Sequence, residues 1–171
     1  MAPRKKSLIT IGVFGVGEAS EKSVVGLVED YIDGKEVKFV FPVSVEHYTE
    51  TVAIVADFVR DEEIPYEVIV TEAATKDRGL RSLIRDATAA HKVADVGTAI
   101  VNLVKEAEDG RLFMLWDEKL VDSNDDEGAY DALDYADEED VPVFDLCNGL
   151  EPLSFKEPDE DGAKDSADAG A

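Results

Sequence analysis

The sequence predicts a single three-layer α/β domain built on about five mostly parallel strands. Three observations predict it. Apolar runs of strand length alternate with segments of helical spacing, glycine or proline punctuates the junctions, and 44% of the 171 residues are hydrophobic. Strands alternating with helices imply right-handed crossovers and a sheet covered on both faces. No apolar run approaches the roughly 18 residues that a membrane span needs.

Residues 7–14 form a mostly apolar run, as in a strand buried on both faces. Gly15-Val-Gly17 breaks it. Val24, Val25, Leu27, Val28, Tyr31 and Ile32 then recur at helical spacing, with Ser20 at the N-cap and Gly34 as the stop. Residues 36–45 read as a second strand, in which Pro42 marks a strand end or a sheet edge. From Glu46 to Glu62, Val52, Ile54, Val55, Phe58 and Val59 suit a helix that Pro65 closes. Glu67 to Thr71 is a short third strand, and residues 78–108 read as two helices broken near 93–97. Arg111 to Trp116 is a fourth strand. An acidic loop, a helix from Asp126 to Glu138 and a fifth strand, Val141 to Asp145, complete the domain.

The organisation expected is a flexible basic leader at 1–6, one domain at 7–155, and a disordered acidic tail at 156–171 with nothing to bury. Arg4-Lys5-Lys6 before an apolar run copies the opening of a signal peptide. The run is short, β-branched and merges into a glycine turn, so it reads as a first strand and the protein as cytoplasmic. The single cysteine, Cys147, forms no internal disulfide, which suits a reducing compartment.

Charge is the unusual quantity. Forty acids against 17 bases leave −23, and residues 117–171 alone hold 20 acids and 3 bases. Such a surface repels a phosphate backbone, so direct nucleic-acid binding is not expected. Solubility, adaptation to high salt and electrostatic mimicry of nucleic acid remain as readings, and eleven lysines weigh against strong salt adaptation.

In an open α/β sheet the ligand crevice lies beyond the carboxyl ends of the strands. Gly15-Val-Gly17-Glu-Ala-Ser20 is a strand–turn–helix junction whose N–H groups would cradle a phosphate, or it is simply a tight turn of small residues. Ser20 stands where a dinucleotide fingerprint has its third glycine, and Glu18 and Glu21 beside the turn would repel an anion. Glu18, Glu72, Asp117, Glu118 and Asp145 are the rim carboxylates, oxygen ligands suited to Mg²⁺. His47 is a general base or a helix-start residue. His91 is expected near a helix end, facing its dipole, and Cys147 is expected to be structural. Lys76, Arg78, Arg81 and Arg85 form the one positive island, with the three arginines on one helical face; they anchor a phosphate or, the preferred reading, pair with neighbouring acids.

The stretch 112–143 invites a comparison. An apolar strand ending Leu-Trp-Asp117 leads to an acidic loop, Gly128-Ala129, a helix with Ala132 and Ala136, and Val-Pro-Val143. This resembles the closing segment of the Rossmann-like nucleotide-processing families, the SLOG/LOG group and the nucleoside deoxyribosyltransferases. Ala129 stands at their usual threonine. The resemblance implies a Rossmann-like fold and a nucleotide or nucleoside ligand. The compact acidic design with its Ala/Asp tail is also similar to small proteins of actinobacterial phages.

Two functions follow as expectations. In the first, the chain binds a nucleotide- or nucleoside-type small molecule. Gly15, Gly17 and Ser20 position its phosphate or ribose, and Asp117 and Glu118 face ribose hydroxyls or Mg²⁺. If a reaction occurs it is N-glycosidic or phosphoester hydrolysis, with Glu72 or Asp117 as the acid/base group. In the second, the chain is a non-enzymatic acidic protein of the viral kind just named, a nucleic-acid mimic or assembly subunit that engages a basic protein partner.

Overall fold

The computed structural model describes residues 8–15, 17, 21–44, 48–116 and 127–153. The basic leader and the acidic tail lie outside the described residues. In chain order the elements are β1 (Ile9–Gly15), α1 (Glu21–Ile32), β2 (Val37–Val43), α2 (Glu50–Asp61), β3 (Tyr66–Val70), two 3₁₀ turns (Ala74–Lys76 and Arg78–Leu80), α3 (Arg81–Asp86), β4 (Ala89–Lys92), α4 (Val96–Lys105), β5 (Asp109–Leu115), α5 (Glu127–Glu138), β6 (Val143–Asp145) and β7 (Glu151–Pro152). They build one seven-stranded sheet of order β4-β3-β2-β1-β5-β6-β7, parallel throughout except at β6–β7. This is the doubly wound, Rossmann-like α/β arrangement that the alternating pattern predicts.

Strand alternation divides the core. Ile11, Val13, Phe39, Phe41, Val68 and Phe113 pack with Val24 and Val28 of α1, Val52 and Val55 of α2, and Leu83 of α3. On the other face Phe14, Val40, Ile69, Leu112 and Met114 pack with Ile100, Val101 and Val104 of α4 and Leu133 and Ala136 of α5. The chain changes face once, where α4 carries it from edge strand β4 back across the sheet to β5. Helix ends follow local chemistry. Thr49 caps α2 by accepting from Val52 N–H at 3.4 Å, and Asp95 caps α4 by accepting from Thr98 N–H at 3.2 Å. Gly34 leaves α1 with φ 75°.

The segment 78–108 corrects the expectation of two helices. Between α3 and α4 it contains a parallel edge strand, β4, in register with β3 from Glu67↔Ala89 to Val70↔Lys92. Ala-Ala-His-Lys has no strand signature of its own. Its backbone is drafted by pairing, with Thr88 N–H bonded to Tyr66 O at 2.8 Å and Val93 N–H to Val70 O at 2.9 Å. His91 is therefore a strand residue, not a helix-end residue, and its Nε2 lies 2.8 Å from Glu67 Oε1. Lys38 Nζ donates to the other oxygen of Glu67 at 2.7 Å. A cation, a carboxylate and an imidazole thus cross three neighbouring strands. The short β7 was also absent from the sequence reading.

Burial works to raise the Glu67 carboxyl, but the hydrogen bonds from Lys38 and His91, and then their charges, outweigh it and hold it below the usual carboxylate range. A lowered folded-state value contributes stability that is fully present above the unfolded value, about 4.3, and is lost as pH falls through the folded one. The deficit in Tm of Glu67→Gln should therefore shrink as the pH falls from about 5 toward 3. Thermal melts from pH 3 to 7 test this; a deficit that persists unchanged to pH 3 rejects it.

Candidate functional site

The strand order reverses direction between β1 and β5, so the crevice of an open α/β sheet falls at their carboxyl ends. Gly15 pairs with Leu115 at the last rung of the β1–β5 ladder. Its φ is 131°, and a Cβ there would lie 2.4 Å from Leu115 O. Two residues on, Gly17 is buried and donates its N–H to that same carbonyl at 2.7 Å. The chain leaving β1 therefore folds over the end of β5 before α1 begins. A Cβ at Gly17 would meet Cys147 Sγ at 2.7 Å and the Leu115 carbonyl carbon at 3.0 Å.

Cys147 reaches that position through the turn after β6. Leu146 N–H bonds Met114 O at 2.8 Å, and Asp145 Oδ1 accepts from Cys147 N–H at 2.9 Å. Asp145 O takes Leu150 N–H at 2.8 Å, and Gly149 and Leu150 adopt φ of 67° and 59° to close the turn. Three parts of the chain that are remote in sequence, Gly15 with Gly17, Leu115, and Asp145–Cys147, form one rim.

Two consequences concern the glycine turn. The Gly17 N–H is spent on Leu115 O, so this donor faces the sheet, and any N–H cradle must come from the turn's other residues. A bulky side chain at Gly17 would also displace Cys147 and the end of β5, so such a variant would disturb the fold as well as the turn. Ser20, Asp117 and Glu118, with Glu18, Glu46 and His47, lie outside the described residues. Trp116, which directly precedes Asp117, follows the last residue of β5 and packs against the core on the α4 and α5 side.

Glu72 stands apart from these glycines, just past β3, two strands or about 10 Å from β1 at sheet spacing. It is exposed and accepts from Lys92 Nζ at 2.9 Å. That hydrogen bond, with the Lys92 charge, holds its carboxyl below the usual range. Near neutral pH such a group is an acceptor, not a proton donor. Among the described residues no three side chains of metal-ligand type converge. A concavity of about 680 Å³ lies at the opposite, amino end of the sheet. It is lined by Asp57, Arg60, Asp61, Tyr66, Asp86 and Thr88 among others. Among the described residues no helix is long and apolar enough to cross a membrane.

Sequence reasoning missed Leu115 and the Gly17–Cys147 contact. Neither carries a local signal, because both depend on which strand lies beside β1. No protein-family model matches the chain, and no curated protein matches it.

Proposed function

We propose that the chain binds a nucleotide- or nucleoside-type small molecule in the crevice at the carboxyl ends of β1 and β5. The observation that carries this reading is the coincidence of the reversal in strand order with the Gly15–Gly17 turn, since ligands of doubly wound sheets occupy that place. Gly15 and Gly17 let the backbone lie close against the end of β5, since a Cβ at either would strike Leu115 or Cys147. Ser20 contacts its phosphate or ribose, and Glu118 faces ribose hydroxyls or a Mg²⁺ ion brought by the ligand. Should hydrolysis occur, Asp117 is the better acid/base group, because Glu72 is held ionised by Lys92.

Trp116 is the only tryptophan and directly follows β5, so its emission is the reporter for the carboxyl end of that strand. Titration with nucleotides and nucleosides, with and without Mg²⁺, should give a saturable change in Trp116 fluorescence. The same ligand should raise Tm by mass action, and Ser20→Ala should weaken both responses. A panel that moves neither signal overturns the reading.

A second reading rests on charge. The 20 acids and 3 bases of residues 117–171 suit a basic protein partner. Such binding falls steeply with salt, because exposed charges are screened within about 10 Å at 0.1 M. A partner captured equally well at low and high salt would count against it.

A further inference from the structure

In a chain with 40 acids and 17 bases, a surface guanidinium is expected to find a carboxylate. Residues 73–85 depart from that rule, with Lys76, Arg78, Arg81 and Arg85 standing against one acid, Asp77. The expected pairing holds for Arg85, whose Nε meets Asp86 Oδ1 at 3.2 Å. Among the described residues, the side chains of Lys76, Arg78 and Arg81 make no hydrogen bond or ion pair. The nearby acids are committed elsewhere. Asp77 Oδ1 accepts from Gly79 N–H at 2.8 Å, Asp86 also holds Arg60 at 2.9 Å, and Glu72 holds Lys92 at 2.9 Å.

The arginines do not share one helical face as the spacing predicts, since Arg78 falls in a 3₁₀ turn and only Arg81 and Arg85 lie on α3. Those two are one helical turn apart, so their side chains are neighbours. With Ile84 and Thr75 they line a groove of about 310 Å³. The Thr75 hydroxyl donates to Glu72 O at 2.6 Å, so the guanidiniums are the groove's donors.

The geometry points to an oxyanion site, in which the groove on α3 takes the phosphoryl group of a small phosphorylated molecule between Arg81 and Arg85. Arg78 adds charge from the adjoining turn. Arg81 presents a complete five-donor fork, and Arg85, whose Nε is held by Asp86, keeps its terminal nitrogens beside it, so the pair offers several donors to the oxygens of a phosphate. A monoanionic carboxylate would leave one of the two unpaired guanidinium charges, Arg78 and Arg81, uncompensated. An extended nucleic-acid backbone would meet the −23 surface beyond the groove. The site lies beyond β3 and is separate from the β1–β5 crevice, so it stands whether or not a ligand occupies that crevice.

The test titrates inorganic pyrophosphate into the full chain at constant ionic strength, followed by ³¹P NMR and by Trp116 fluorescence. Saturable binding that leaves Trp116 emission unchanged is expected. Arg81→Gln should weaken it by about tenfold or more, and Arg78→Gln by less. Lys105→Gln, which removes the same charge at the far end of α4, should leave affinity unchanged. Because the Arg81 side chain is exposed and bonds nothing, its variant should keep the parent Tm. The proposal is overturned by absence of saturable binding at matched ionic strength, or by equal effects of Arg81→Gln and Lys105→Gln. Binding that shifts Trp116 and ignores Arg81 also overturns it, and favours the crevice instead.

Discussion

Gly15→Ala is expected to cost about 2–6 kcal/mol of stability, a large share of the roughly 5–15 kcal/mol that holds a typical domain together. Two effects combine. The φ of 131° lies where L side chains are strained. The new Cβ would also stand 2.4 Å from Leu115 O and 2.8 Å from Leu115 N, which are backbone atoms of the neighbouring central strand. Relief requires moving β5 away from β1, which breaks the last rung of the ladder between the two middle strands. Gly26→Ala in α1 is the internal control, since its Cβ meets nothing within 4 Å. It should gain up to about 1 kcal/mol from helix propensity. Urea unfolding of both variants measures the contrast; a Gly15→Ala protein within about 0.5 kcal/mol of the parent, the scatter of a neutral substitution, would reject this account of the turn. Loss of ligand binding in the variant is informative only where the protein remains folded.

The fold was legible where burial is complete. Ile9–Gly15 is buried at every position, so its apolar run announced a central strand. The helices α1, α2 and α5 fell close to their expected bounds because their apolar residues keep a 3.6 period. Legibility failed where an element owes its form to a neighbour. The residues of β4 alternate only between half-buried and exposed, and a four-residue edge strand is made by the β3 backbone it pairs with. The two-residue β7 exists through its antiparallel pairing with Phe144 and Asp145.

The candidate site shows the same division. Gly15-Val-Gly17 was readable as a break between strand and helix. That the break lies over Leu115 O and against Cys147 Sγ depends on strand order, which no local pattern carries. The basic island was readable as charge, but which of its members pair was not: Arg85 finds Asp86 while Lys76, Arg78 and Arg81 find no carboxylate among the described residues, and any one of 40 acids was a candidate until the fold placed them. The negative surface and the basic groove are also compatible in physical terms. Screening limits repulsion by remote acids to about 10 Å at 0.1 M salt, whereas the guanidiniums act at contact distance.

Gly110→Ala should be the second severe substitution, costing about 3 kcal/mol or more through overpacking. Gly110 enters β5 directly beneath the end of α4, and a Cβ there would fall 1.9 Å from Val104 O and 2.7 Å from its carbonyl carbon. Gly12 supplies the discriminating comparison, because it faces the same residue through the other group. Its Cβ would meet the Val104 side chain at 2.9 Å and Ile100 Cγ1 at 3.1 Å. Trimming Val104 to Ala removes the obstacle at Gly12 but leaves the carbonyl that obstructs Gly110. In a double-mutant cycle, Val104→Ala should thus recover part of the cost of Gly12→Ala and little of the cost of Gly110→Ala. Equal recovery at both sites would mean that α4 shifts as a rigid body, and would remove the backbone contact as the reason that glycine stands at the start of β5.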